Sequence, residues 1–260
     1  MKVGWIGLGE IGKHMALRTL AVGHEMVAYD RGAGKGEVAA AGARLTGSYS
    51  ELAASAEVLC LCLFSDAQVR ETMFDHGTLA AMQPGSVLAI HTTGSAKLAR
   101  ELGEMAPQGV AVIDACFSGG PDETARGDLT LMVGGEAPAL ERARPVLSSY
   151  ASRINHMGPL GAGQTLKLLN NLLFATNLMQ AYDVIAMAEA QGIDPAYAAQ
   201  VICQSSGGSM SMSLLQTSAG AQTMERARHY MVKDVKTAAE AAQDAGLDIS
   251  TFERTIAYYR

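Results

Sequence analysis

Three glycines mark the first piece of legible chemistry in the chain. Gly7-Leu8-Gly9-Glu10-Ile11-Gly12 is a GxGxxG run that follows the apolar stretch Lys2 to Ile6 and precedes a helix-forming segment. In that context Gly7 permits a tight turn, Gly9 lets the backbone approach a pyrophosphate, and Gly12 allows the helix to pack closely on the strand. The helix N-terminus then aims N–H groups and the positive end of its dipole at phosphates. A second strand-like stretch ends at Asp30, eighteen residues beyond Gly12. A carboxylate there accepts hydrogen bonds from the ribose hydroxyls and repels a 2′-phosphate, which favours NAD. Arg31 pulls the other way, because a guanidinium can pair with that phosphate, so NADP stays possible. In a chain with 28 glycines the run alone is a weak signal. The alternative is a flavodoxin-like or other α/β fold with an incidental Gly-rich turn.

Two further segments carry groups that could do chemistry. Asp114-Ala115-Cys116-Phe117-Ser118-Gly119-Gly120 follows a strand expected to end at the open edge of a sheet, where α/β ligand sites form. A hydroxyl followed by two glycines can offer side-chain and backbone donors to a small carboxylate, although SGG by itself also reads as a plain turn. Lys167 and Asn171 are four residues apart in a helical segment, so they share one face near its N-terminal end. A lysine in that place commonly does no more than cover a solvated face. Lys233-Asp234 is a weaker candidate of the same kind.

The elements that must hold these groups follow from the apolar periodicity. Strands are expected over Lys2 to Ile6, Glu25 to Tyr29, Val58 to Leu63, Ser86 to His91, Val110 to Asp114 and Leu129 to Val133, with the sheet finishing near Asn155 to Met157. Helices are expected between them, over Ile11 to Ala21, Ala67 to Phe74, Ala96 to Met105 and Pro138 to Ser149. This alternation is the pattern of βαβ units and a parallel sheet. From Gly163 to about Ala190 neither Pro nor Gly interrupts the pattern, which predicts one helix of up to about 40 Å. Asp194 and Pro195 suit an N-cap and first turn. Residues 205–213 read as an irregular connection, and Met224 to Ala245 as helix again. The expected organisation is α/β, with a Rossmann-type parallel-sheet domain over residues 1–158 and an all-helical domain over residues 159–260.

Composition narrows the function classes. The 260 residues are 48% hydrophobic and 18% charged, with mean hydropathy +0.11, so a buried core is expected. A formal charge of −6 and the lack of a Lys/Arg run argue against nucleic acid. No apolar stretch is long enough to span a membrane and no signal-peptide pattern opens the chain, so a soluble cytoplasmic protein is expected. Cys60, Cys62, Cys116 and Cys203 have neither metal-ligand nor disulfide spacing. They read as buried thiols, and no metal site is expected.

Taken in order, the N-terminal GLGxxG, the segment after the third strand, the DxxxSGG segment, GxGxxxKxxNN from Gly161 to Asn171 and the late Lys233-Asp234 pair resemble the β-hydroxyacid dehydrogenase family. That family includes 3-hydroxyisobutyrate dehydrogenases and tartronate semialdehyde reductases. The resemblance covers nearly the whole chain, and KxxNN is its most specific part. It implies hydride transfer between a nicotinamide cofactor and a small 3-hydroxy acid or its semialdehyde. It further implies that Gly7, Leu8, Gly9, Glu10, Ile11 and Gly12 hold the pyrophosphate and Asp30 and Arg31 face the ribose. Leu63 and Phe64 would flank the cofactor and Thr93 would lie beside the nicotinamide. Ser118, Gly119 and Gly120 would bind a substrate carboxylate, with Lys167 as acid/base, Asn171 as its companion and Lys233 as a late contact. A homodimer or homotetramer is implied too, in keeping with apolar residues on several faces of the long helix.

The chain departs from its relatives in places. Cys116-Phe117 replaces Pro-Val, Glu123-Thr124 replaces Gly-Ala, and His91-Thr92-Thr93-Gly94 stands where Met-Ser-Thr-Ile is usual. The Ser205 to Lys233 segment is shorter than usual. An imine reductase on the same scaffold is the alternative enzyme, but those relatives commonly carry Asp or Tyr in place of Lys167. A non-catalytic NAD-binding scaffold is the alternative outside catalysis, opposed by the intact Ser118, Lys167 and Asn171. The 6-phosphogluconate branch is disfavoured by the short chain and the lack of a cationic phosphate cluster.

Overall fold

The protein is described by a computed structural model covering residues 1–29, Gly32, 34–217 and 220–259; between 220 and 229 only the side chains of Glu225 and Arg228 are included. The chain forms two compact units, Met1–Lys167 and Leu168–Arg260.

The first unit holds one sheet of eight strands: β1 Lys2–Ile6, β2 Glu25–Tyr29, β3 Arg44–Leu45, β4 Val58–Leu61, β5 Val87–Ile90, β6 Ala111–Ser118, β7 Leu129–Gly134 and β8 Ala151–Gly158. The spatial order is β3-β2-β1-β4-β5-β6-β7-β8. Every neighbouring pair is parallel except β6 and β7. The order reverses at β1 and β4, and ligands of such sheets bind beyond the carboxyl ends of the strands at that switch point. The helices of this unit are α1 Glu10–Ala21, α2 Lys35–Ala40, α3 Tyr49–Ser55, α4 Asp66–Arg70, α5 Ala96–Met105, α6 Pro121–Arg126 and α7 Ala137–Leu147.

The central strands are apolar on both faces because helices cover both. Val58 and Cys60 of β4 join Val87 and Ala89 of β5, Trp5 and Tyr150 in one layer, while Leu59, Leu61, Leu88 and Ile90 join Leu52, Leu98 and Leu102 in the other. The period-two alternation of a strand thus feeds two cores at once. Burying each of these leucines contributes about 1.5–3 kcal/mol.

The second unit continues with α8 Ala162–Ala190, whose first turns belong to the sheet unit, then α9 Pro195–Cys203, α10 Met210–Ser213, α11 Gly220–Asp244 and α12 Glu253–Tyr258. Leu168, Leu172, Ala175 and Met179, one stripe of α8, are buried with Ala199, Met212, Val235 and Ile256. Asp194 caps α9 by accepting from the Tyr197 N–H at 2.8 Å, and Pro195 opens its first turn. No helix among the described residues is long and apolar enough to cross a membrane.

Several expected boundaries are corrected. β4 stops at Leu61, so Leu63 is in the loop beyond it. β6 runs through Ser118 instead of ending at Asp114, because β7 pairs antiparallel with it, Asp114 opposite Gly134 and Ser118 opposite Thr130. The helix expected over Ala67 to Phe74 is α4 followed by a π-helical turn, Glu71–Asp75. The stretch near Asn155 to Met157 belongs to a full strand, β8, and residues 205–213 contain the short α10.

Candidate active site

The glycine loop has the geometry its spacing requires. Gly7 has φ +94°, and a Cβ there would lie 2.1 Å from the Cys62 carbonyl oxygen. A Cβ on Gly12 would lie 2.3 Å from the Gly7 carbonyl oxygen, so α1 packs on β1 only with glycine at that place. The same Gly7 carbonyl accepts the indole N–H of Trp5 at 3.1 Å. Gly9 is extended, has no side-chain cap to offer α1, and a Cβ there would meet nothing within 4 Å. With no side chain at Gly9, nothing of that residue obstructs the approach of a phosphate to the N-terminus of α1, so the loop fits a pyrophosphate. Leu8 is buried beside this loop, Ile11 is half-buried and Glu10 is exposed on the first turn. Asp30 and Arg31, the expected ribose contacts, lie outside the described residues.

The loops after β4 and β5 are tied to each other. The Leu63 N–H donates to Thr92 Oγ1 at 2.8 Å, and the Phe64 N–H donates to Gln68 Oε1 at 2.9 Å. Phe64 is 51% exposed. Thr93 is half-buried between Thr92 and Gly94. Asp66 accepts from the Ser95 N–H and hydroxyl, the latter at 2.7 Å.

Gln164, in the first turn of α8, reaches that second loop: its Nε2 donates to the Thr92 carbonyl at 2.7 Å and its Oε1 accepts the Gly94 N–H at 2.8 Å. The start of α8 is also held from β6. Asp114 Oδ1 accepts the Gly161 N–H at 2.7 Å and Oδ2 accepts the Gln164 N–H at 2.6 Å. Burial pushes the Asp114 carboxyl up to about 6, against the pull of these backbone donors, which leaves it ionised at neutral pH. Gly163 must be glycine here, since a Cβ would lie 2.7 Å from Asp114 Oδ2 and 2.4 Å from the Met132 carbonyl oxygen.

Lys167 follows one turn later, half-buried, and Asn171 one turn beyond that. Asn171 is 4% exposed. Its Nδ2 donates to Asp234 Oδ2 at 2.6 Å and its Oδ1 accepts from Asn170 Nδ2 at 3.1 Å. The other Asp234 oxygen accepts from Lys233 Nζ at 2.6 Å. The second unit therefore joins Asn171 to Lys233 through Asp234.

Ser118 ends β6, and Gly119 turns with φ +130°. The Gly120 N–H donates to Glu123 Oε2 at 2.9 Å, and this bond is the main reason the Glu123 carboxyl is held below the usual range. An internal carboxylate thus already engages one of the three expected substrate contacts.

Among the described residues no three His, Cys, Asp or Glu side chains gather as metal ligands would. Burial pushes the Cys62 thiol up to about 12 and Cys60 higher still, so neither is a nucleophile at neutral pH.

Gln164 is a polar site residue that the sequence reading left out, and Asp114 and Asp234 are two to which it gave no role of their own. The available signals were an acid at the end of an apolar strand, a glutamine among helix-opening glycines, and the acid next to Lys233.

Comparison with known proteins covers both units. A family model described as the NAD binding domain of 6-phosphogluconate dehydrogenase matches residues 2–158, and one described as NAD-binding of NADP-dependent 3-hydroxyisobutyrate dehydrogenase matches residues 161–259. The NAD-dependent L-serine dehydrogenase of Pseudomonas aeruginosa is 33% identical over 274 residues, which cover 100% of this chain and 91% of the relative. The structure of Mycobacterium tuberculosis 3-hydroxyisobutyrate dehydrogenase with L-serine matches with a TM-score of 0.89 and 28% identity, covering 99% of this chain and 92% of the other. A Streptomyces aurantiacus imine reductase shares the fold, with a TM-score of 0.70 and 19% identity over 100% of this chain and 93% of its own.

Proposed function

Because this chain belongs to the β-hydroxyacid dehydrogenase family, a family of NAD(P)-dependent oxidoreductases, we propose that it oxidises a 3-hydroxy carboxylate with a small substituent at C2, or reduces the matching semialdehyde. NAD is the preferred cofactor in this reading, with Asp30 outweighing Arg31. The observation that carries the proposal is the glycine loop at the switch point of the sheet, where Gly7 turns at φ +94° and only a glycine at position 12 lets α1 pack on the Gly7 carbonyl. A bound nicotinamide dinucleotide supplies the hydride acceptor or donor.

The chain's own residues do the rest. Gly7, Leu8, Gly9, Glu10, Ile11 and Gly12 hold the pyrophosphate, Leu63, Phe64 and Thr93 border the cofactor, and Lys233 is a late contact. Ser118 and Gly119 receive the substrate carboxylate together with Gly120, whose N–H must be shared with or released by Glu123. Lys167 Nζ gives a proton to the carbonyl oxygen during reduction and takes one from the hydroxyl during oxidation, with Asn171 orienting the group it touches. The C2 substituent is amino in serine and methyl in 3-hydroxyisobutyrate, the compounds named for the two similar proteins. Both fit a pocket that selects the 3-hydroxy acid and tolerates small change beside it. We place the domain boundary near residue 158 and take the active protein to be a homodimer or homotetramer.

Steady-state turnover of L-serine and 3-hydroxyisobutyrate against the 2-hydroxy acids isoserine and 2-hydroxybutyrate, both oxidisable secondary alcohols, each with NAD and with NADP, tests the reading. The 3-hydroxy acids should be turned over at least tenfold better than the 2-hydroxy isomers, and NAD at least tenfold better than NADP. Preference for a 2-hydroxy acid would overturn the substrate class, and preference for NADP would overturn the role of Asp30.

A further inference from the structure

We propose that Gln164 is a positioning residue that sets Lys167 against Thr93, acting through the loop after β5. The proposal rests on the roles given above to Lys167 and Thr93, and it concerns a residue that touches neither substrate nor cofactor in that reading.

Gln164 is 2% exposed, and both ends of its amide are used on one loop. The Nε2 bond to the Thr92 carbonyl and the Oε1 bond to the Gly94 N–H bracket Thr93 in sequence from both sides. The next residue but two along α8 is Lys167. One side chain therefore links the turn of helix that carries the proton donor to the peptide that borders the nicotinamide. Thr92 extends the link, since its Oγ1 accepts the Leu63 N–H. The anchor beneath is rigid: the Gln164 N–H is bound by Asp114, which also binds Gly161. Three segments, those of Leu63, Thr93 and Lys167, are thereby connected within a single compact unit.

The chemistry requires an amide. A carbonyl needs a donor and an N–H needs an acceptor, and glutamine supplies both without charge. A carboxylate would present two acceptors and face the Thr92 carbonyl oxygen unpaired; an apolar side chain would leave both backbone groups unsatisfied in a buried place. Freed from Gln164, the loop can move relative to α8, and a misplacement of about 1 Å at a reacting centre costs on the order of 10²-fold in rate.

Gln164→Glu converts this into a pH-dependent readout. When protonated, the introduced carboxyl can again donate to the Thr92 carbonyl and accept from Gly94; when ionised, it cannot donate. The charged groups near it are Asp114 at its backbone, Asp66 across a small hollow lined also by Thr92 and Ser95, Arg100 of α5 against Gly161, and Lys167 one turn along. The two carboxylates keep the introduced proton on to higher pH, and Arg100 and Lys167 oppose them.

The test uses the full chain and compares kcat of variant and unmodified protein at each pH from 5 to 9 with saturating L-serine, or the best 3-hydroxy acid found, and NAD. The variant should fall about 10²-fold below the unmodified protein at pH 9 and recover to within about tenfold at pH 5, with the NAD dissociation constant changed less than about threefold. Hydrogen exchange of the peptide spanning residues 91–95, measured without cofactor, should be faster in the variant at pH 9. Gln164→Met, close in size and without hydrogen bonds, should show the same loss of kcat and fast exchange at every pH, and it decides the matter if Gln164→Glu does not fold. A ratio of Gln164→Glu to unmodified kcat that stays constant across the range, or unchanged kcat or exchange in Gln164→Met, would overturn the positioning role. Lys167→Ala separates the two readings: if it keeps full turnover, the role of Lys167 fails whatever Gln164 does, and if it is inactive while both Gln164 variants behave as the unmodified protein, only the present inference fails.

Discussion

The hydroxyl of Tyr150 donates to Nε2 of His91 across 3.0 Å in the core beside Trp5, while Nδ1 of the same ring donates to the Ala115 carbonyl at 2.7 Å. A carbonyl only accepts, so the proton of this neutral imidazole is on Nδ1.

Burial pushes His91 down to about 4 from 6.5, so between those values an unfolded chain binds a proton that the folded chain does not. That group alone makes stability rise with pH through the window, by about 3 kcal/mol. Asp114 has the opposite slope. Burial raises it from 3.8 to about 6, so over that window the folded chain keeps a proton that the unfolded chain has released, and stability falls by a similar amount as pH rises. The two largely cancel. Asp114→Asn removes one side of the balance, so its unfolding free energy in urea, relative to the unmodified protein, should increase by about 3 kcal/mol between pH 4 and pH 6. Parallel curves for the two proteins would show that Asp114 is not perturbed in this way.

Lys167→Ala should lower kcat by roughly 10²- to 10⁴-fold and leave NAD affinity nearly unchanged, because in the proposed reading the cofactor is held mainly by the glycine loop and Asp30. In the unmodified protein oxidation needs the neutral amine and reduction the ammonium, so oxidation should accelerate towards alkaline pH while reduction holds steady or declines. Single-turnover traces in both directions read this out. Near-normal turnover of the Ala variant would remove Lys167 from the chemistry.

Asn171 and Asp234 are both buried, and each is the other's partner at 2.6 Å. Removing either leaves a buried polar group unsatisfied, at a cost of about 1–3 kcal/mol. A double-mutant cycle with Asn171→Ala and Asp234→Ala should therefore show a coupling of about 0.5–3 kcal/mol in unfolding free energy. Strict additivity would mean that the hydrogen bond contributes nothing to the second unit.

Leu169, Leu173, Val184 and Met187 of α8 are between 43% and 63% exposed. Such apolar surface on one helix is what an association interface leaves uncovered in a single chain. Light scattering at micromolar concentration should give a mass of at least two chains, and Leu173→Glu should shift it towards one. A monomeric unmodified protein would overturn the assignment.

The glycine loop was legible because its demands are local: a positive φ at Gly7 and a missing side chain at Gly12 are properties of a few adjacent residues. The long helix was legible from unbroken periodicity. Ser118 was placed beyond a strand and not within it, because β6 is extended by a partner strand that starts eleven residues after Ser118. Asp114 and Gln164 were missed for a related reason. They bond to each other across fifty residues of chain, and nothing in the neighbourhood of either says that a strand and a helix start will meet there. Asp234 binds Asn171 across sixty-three residues, so its role was equally hidden. The short α2, β3 and α3 fall in an Ala- and Gly-rich stretch whose apolar pattern is too brief to show a period.

Trp5 is the sole tryptophan of the chain. Its ring lies fully buried 6.1 Å from that of His91, and its indole N–H is held by the carbonyl of Gly7. The protein thus carries one intrinsic fluorophore, and it is wired to the turn that precedes α1. Its emission reports on the solvent exclusion and hydrogen bonding of that turn and on the integrity of the sheet unit, while the helices beyond Leu168 are optically silent at tryptophan wavelengths. A fluorescence melt and a circular-dichroism melt of the same sample therefore follow different parts of the molecule, and the gap between their midpoints measures how far the two units unfold as one.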